Sequence, residues 1–270
     1  MLNPAGGAGA SAPRLVTDPA HGGRWTSLVS GGREWLWRRA DPARERVVPG
    51  DAFVDAGGVE ECVPTVRGVP DHGDAWSRPW ERRAGAESVE CPGFRLARRV
   101  ETAPTATTVH YRLTARPGFR FVWAAHALLD LSDEAGAELP AGAPLRFYPD
   151  ATDRWEQASW PSAGGARLDR FGPADGTAVG AVAAAPEVTV RDGRDSLRMR
   201  LDTYADTIPV SIAVWRNLGG FPEGAPYRSI GVEPMLGRSF ALAGAKDADV
   251  ARVPPSGEIR WRLTLTAFHL

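Results

Sequence analysis

The sequence predicts an all-β protein built as an antiparallel β-sandwich. Three observations carry that prediction. Short segments alternate apolar and polar residues with a period of two, the pattern of strands that bury one face and wet the other. Apolar residues spaced three and four apart, the mark of an amphipathic helix, are nearly absent. The 23 prolines and 30 glycines are spread along the chain and cut most windows before three helical turns could accumulate.

Taken in order, residues 1–13 are small, rich in Gly and Ala, and expected to be flexible. A single domain is expected to fill residues 14–270. A first strand is expected at 14–17. Residues 24–29 and 33–37 flank Ser30, Gly31 and Gly32, a connection suited to a hairpin because glycine accepts positive φ. Stretches 85–92 and 172–186 look loop-like. Residues 108–115 set Val109, Tyr111 and Leu113 against His110, Arg112 and Thr114. In 119–131 the alternation groups His126 with Val122, Ala124 and Leu128, opposite Phe121, Trp123 and Ala125. Residues 196–203 repeat the device with Leu197, Met199 and Leu201. Ile230 and Val232 suggest a strand that Pro234 ends at Glu233. Residues 259–267 are apolar at every odd number and polar at every even one, which describes a half-buried strand with a wet outer face.

Composition excludes several function classes. The chain has 270 residues, and Lys+Arg 32 against Asp+Glu 33 gives a net charge of -1, without the electrostatic footprint of a nucleic-acid binder. No run approaches the ~20 apolar residues of a membrane span. The opening residues show neither the basic nor the apolar region of a secretory signal, so a cytoplasmic location is expected. Lys246 is the sole lysine, and the plain reading of that bias toward arginine is GC-rich coding. Cys62 and Cys91 fit no metal spacing and are expected to be free thiols. The ten tryptophans belong to the core or, in part, to an aromatic platform for a sugar. Gly-x-Ser-x-Gly, Walker and Gly-x-Gly-x-x-Gly motifs are missing, so a serine hydrolase has little support and no nucleotide cofactor is expected.

Three segments carry candidate chemistry. Residues 57–65 run on to 70–80, where Asp71, His72, Asp74, Trp76, Arg78 and Trp80 crowd one loop punctuated by Pro and Gly. The competing readings are a capped turn and, lacking a second histidine at ligand spacing, a weaker metal site. His126 sits between alanines in mid-strand. It reads either as a satisfied core histidine or as a proton donor on a rigid element with room for a ligand. His21, His110 and His269 read as solvent-facing or terminal. Glu233, at a strand end beside Gly and Pro, is a candidate general base or an edge glutamate paired with arginine.

In chain order these segments resemble the aldose 1-epimerase (galactose mutarotase-like) family. Residues 22–28 (GGRWTSL) and 34–37 (EWLW) look like its early strand pair. Residues 70–74 (PDHGD) are similar to its His-Gly loop, and the WSRPW at 76–80 occurs in its broader bacterial branches. Residues 121–131 resemble the strand of its second histidine, and 230–234 (IGVEP) with Gly237 the segment of its catalytic glutamate. The resemblance spans residues 14–268.

It implies a β-supersandwich with a carbohydrate site on its concave face, a small-molecule sugar as substrate, and interconversion of α and β anomers without metal or other cofactor. Glu233 then matches the general base, His126 the general acid, and His72 the histidine that binds the sugar. Asp169, in GARLDRF at 165–171, resembles the aspartate that bonds sugar hydroxyls. Arg78 and Trp80 complete the expected binding set. The family's early Asn-Arg segment has no counterpart, and Arg67 or Arg78 is the candidate replacement for its arginine. Base and acid are expected from opposite sides of the sugar, with a neighbour keeping His126 protonated. No nucleic acid or membrane partner is expected, and the chain is read as a monomer or homodimer. The alternatives are a non-catalytic carbohydrate-binding protein, a hexose-6-phosphate epimerase, and a glycoside hydrolase or lyase. The last needs two carboxyl groups about 5–9.5 Å apart, for which Glu60, Glu61 and Glu81 are candidates.

Overall fold

The structure, a computed structural model, describes residues 9–150, 152, 154–205 and 207–269. Two antiparallel sheets dominate it. The larger has twelve strands, and its centre runs Val210–Leu218, Arg228–Leu236, Trp123–Leu129, Val59–Cys62, Arg24–Ser30. The other has nine, centred on Asp195–Thr203, Glu258–His269, Ala106–Ala115 and Phe94–Ala103. The antiparallel β-sandwich expected from the alternating patterns is therefore observed.

The main core lies between the sheets. Tyr111 stacks on Trp261 at 5.2 Å, and Trp123 of the facing sheet packs against both, at 4.8 and 5.2 Å. Within this core Glu61 is fully buried, yet its carboxylate accepts from Arg98 Nη1 at 2.6 Å, Tyr111 Oη at 2.9 Å and Trp123 Nε1 at 2.7 Å. Arg98 also holds Glu87, with Nη2 to Oε2 at 2.7 Å. Every charge in this cluster is paired, as burial demands.

The outer face of the larger sheet carries a second, smaller apolar cluster that includes Cys62, Val122, Ala124, Ala213, Met235 and Phe240. This matches the alternation around His126: Phe121, Trp123 and Ala125 enter the main core, while Val122 and Ala124 face outward.

Several local expectations change. Residues 1–8 of the segment expected to be flexible lie outside the described residues, and Gly9–Ser11 instead form a strand paired with His269, Phe268 and Ala267. Residues 85–92 contain the strand Ala86–Cys91, whose inward Glu87 hid the apolar rhythm because its charge is taken up by Arg98. The small residues of Ala178–Ala183 concealed another strand inside 172–186. Pro234 does not end its strand, which runs through Arg228–Leu236. The adjacent ladder pairs Ala124 with Met235 and Leu128 with Gly231, and the stretch between, holding the proline, makes no such pair. A residue without an N–H is tolerated there because no bond is asked of it on that side.

Candidate active site

That interruption of the ladder is where the candidate chemistry sits. Continuing the register across it sets His126 opposite Glu233, both on the outward face. His126 Nε2 lies 3.9 Å from Glu233 Oε1. Glu233 is 1% exposed, and its Oε2 has no hydrogen-bond partner. A buried carboxylate oxygen left bare is costly unless a ligand completes it. Gly231 makes the room: a Cβ there would meet Glu233 Oε1 at 2.6 Å and Trp215 Cβ at 3.0 Å.

Loops bring the remaining groups. His72 stands at φ 57, in the left-handed region, and follows the cis Val69–Pro70 bond by two residues. Its Nδ1 bonds Asp71 Oδ1 at 2.9 Å, its ring stacks on Phe53 at 3.7 Å, and it stands perpendicular to the His126 ring at 5.0 Å. Tyr227 stacks on Trp37 at 5.6 Å and donates its hydroxyl to Asp55. The Arg67 guanidinium lies 5.3 Å from the Phe240 ring, and its Nη1 donates to the Thr152 carbonyl. His72, His126, Glu233, Asp55, Arg67, Trp215 and Tyr227 all line one cavity of about 580 Å³, within the usual range for small-molecule sites.

Burial pushes the Glu233 pKa up, against the opposing charges of His126 and Arg67. Burial pushes the His126 pKa down, Glu233 opposing and His72 adding to the shift. Glu233 does favour the imidazolium, but desolvation outweighs it. His126 and Glu233 lie side by side on neighbouring strands.

The structure assembles Glu233, His126 and His72 and leaves three expected binders elsewhere. Asp169 is paired with Arg167, Nε to Oδ1 at 2.8 Å, and its carbonyl accepts from Ala137 N–H. Arg78 turns to Asp74 at 3.4 Å. Trp80 is a core residue that covers Gly23, where a Cβ would lie 2.7 Å from its ring, and it packs against Arg98. None of the three lines the cavity. Of the two candidate arginines, Arg67 faces it. Asp55, Phe53, Trp215 and Tyr227 were not singled out from the sequence. Phe53 and Asp55 lie on a segment without periodicity or motif, Tyr227 opens the stretch that leads to Glu233 without a signal of its own, and Trp215 lies on a strand that gives no chemical signal. Among the described residues, no group of three or more His, Cys, Asp or Glu side chains is placed to hold a metal ion.

Comparison with solved structures places this architecture. A galactose mutarotase-like protein from Lactobacillus casei matches with a TM-score of 0.64 at 17% identity, over 97% of this chain and 100% of that one. A galactose mutarotase related enzyme from Lactobacillus acidophilus matches with a TM-score of 0.66 at 13% identity, over 96% and 95%. The chain has the galactose mutarotase-like fold. A protein of Escherichia coli K12, provisionally named aldose 1-epimerase, shares the mutarotase-like architecture with a TM-score of 0.69 at 14% identity, over 98% and 99%. No protein-family model and no curated protein sequence matches the chain.

Proposed function

We propose that the protein is an aldose 1-epimerase, a mutarotase that opens and recloses the ring of an aldohexose or related sugar. The observation that carries this reading is the bare, buried Oε2 of Glu233 beside His126 in a cavity large enough for a pyranose. Glu233 takes the proton from the anomeric hydroxyl while protonated His126 delivers one to the ring oxygen. The C1–O5 bond breaks, the aldehyde turns about C1–C2, and the ring closes on its other face with the two protons returned. The two oxygens share C1, so an acid and a base only 3.9 Å apart suit them. His72 and Arg67 hold the sugar, and Trp215 and Tyr227 offer aromatic faces to its C–H surface. The reaction transfers no electrons, so the proposal needs no redox group.

Arg67 and Arg39 at the cavity favour a second reading, a hexose phosphate as substrate. The glycoside hydrolase reading loses its carboxylate pair. Glu60 is bound by Arg44 at 2.8 and 3.0 Å, Glu61 faces the intersheet core, and Glu81 is exposed on the strand Glu81–Arg83. The free thiols of Cys62 and Cys91 support a reducing compartment such as the cytoplasm.

Polarimetry and exchange NMR on freshly dissolved aldohexoses, with and without a 6-phosphate, test the proposal. Accelerated anomer exchange is expected for at least one sugar. Binding without acceleration would leave a carbohydrate-binding protein.

A further inference from the structure

Asp71 is tied into the site at both carboxylate oxygens. Oδ1 accepts from His72 Nδ1 at 2.9 Å, and Oδ2 accepts from the backbone N–H of Phe53 at 3.2 Å. The Phe53 ring in turn lies flat on the His72 imidazole, with 14° between their planes. One carboxylate therefore holds the imidazole by its edge and also holds the segment that covers its face. His72 sits in a left-handed conformation that costs about 1–3 kcal/mol in a non-glycine residue and persists only where the surroundings enforce it. Its own N–H is fixed on the Val66 carbonyl at 3.1 Å.

The consequence is a choice of tautomer. Burial would raise the Asp71 pKa, but the bonds from His72 and Phe53 hold it below the usual carboxylate range, so the group is ionised and only accepts. Nδ1 of a neutral His72 then carries the proton, and Nε2 keeps its lone pair. We propose that Asp71 is a positioning residue that fixes His72 as the Nδ1–H tautomer, so that Nε2 accepts a hydroxyl of the sugar beside His126 and Glu233. This rests on reading the cavity as a sugar site. An acceptor at that point selects a hydroxyl and disfavours an anionic oxygen. Asparagine cannot replace Asp71, because both carboxylate oxygens accept and an amide has only one oxygen to offer.

Imidazole nitrogen spectra without substrate, at about pH 8.5 where an ordinary imidazole is neutral, test the assignment. Wild type is expected to carry the His72 proton on Nδ1. Asp71→Asn should shift the population toward Nε2–H, and Asp71→Glu should restore Nδ1–H at least in part. Phe53→Leu removes the stacked ring and keeps the backbone donor, so the tautomer should hold. In anomer exchange, Asp71→Asn should raise KM about tenfold, the equivalent of one lost hydrogen bond, with kcat within about threefold. A wild-type His72 protonated on Nε2, or an Asp71→Asn protein with unchanged tautomer and KM, overturns the assignment. If no sugar shows exchange in wild type, the enzymatic reading fails, and the spectra still decide what Asp71 does to His72.

Discussion

At the scale of single residues, the proposed anomer exchange depends on two groups that burial moves in opposite directions. Glu233 works ionised and its pKa is raised, so the acid limb of activity lies above the ordinary carboxylate range. His126 works protonated and its pKa is lowered, so the alkaline limb falls below the ordinary imidazole value of about 6.5. The limbs close on one another. A narrow bell on the acid side of neutrality is expected for kcat/KM of anomer exchange. A rate that stays flat from about pH 6.5 to 9 would mean that His126 does not donate as the imidazolium. Replacing Glu233 by Gln keeps the shape and should lower kcat about 10²–10⁴-fold, as loss of a general base does. His126→Asn should act similarly. His110→Asn should leave the rate alone, because His110 lies on the other sheet, bonded to Glu101 at 3.2 Å. The same burial has a stability consequence. With its folded pKa raised, Glu233 contributes fully below the unfolded carboxylate value of about 4.3, and that contribution is lost as pH rises through the folded value. The melting temperature of Glu233→Gln relative to wild type should therefore climb with pH over that interval, and a constant difference would contradict the raised pKa.

At the scale of elements, the strand Arg228–Leu236 serves the site through what it lacks. Pro234 has no N–H to give the neighbouring strand, and Gly231 has no side chain beside the carboxylate. Gly231 is not in the left-handed region, so Gly231→Ala strains the backbone little. Its new methyl nevertheless displaces the tip of Glu233 and presses on Trp215. The expected result is a folded protein whose kcat falls about 10²-fold, the usual effect of moving a reacting group by about 1 Å. Wild-type kcat in that variant would show that the carboxylate has slack. These elements also show what sequence can and cannot disclose. Residues 259–267 were legible because one face is dry and the other wet, and the strand Glu258–His269 follows that pattern as far as Leu265, beyond which Thr266 is buried as well. Glu233 and His126 were legible as candidates because each is a titratable residue among small or apolar neighbours on a strand, and the structure brings the two together. Asp169 was misplaced because its role was carried over by likeness, while Arg167 two residues away already satisfies its charge. Asp55 and Tyr227 meet only in three dimensions, 172 residues apart, from loops that no periodicity governs.

At the scale of the whole molecule, the two sheets are joined by a buried ion cluster as well as by apolar contact. Arg98, on the strand Phe94–Ala103, bonds Glu61 on the strand Val59–Cys62 of the other sheet. That second strand is also the neighbour of the one bearing His126, and Glu60 is the residue paired with His126. The cluster thus fixes the strand on which one wall of the site is registered. Arg98→Met fills much of the volume but strips Glu61 and Glu87 of their shared cation. Breaking a buried pair from one side typically costs about 3–5 kcal/mol, chiefly because a charge is left uncompensated. Urea denaturation of Arg98→Met should show a loss of that size. The double variant Arg98→Met, Glu61→Gln should recover part of it, because the amide can still accept from Tyr111 or Trp123 without a buried charge. A loss below about 1 kcal/mol in the single variant, with no recovery in the double, would match an exposed pair instead and would assign the sheet-to-sheet linkage to the aromatic core alone.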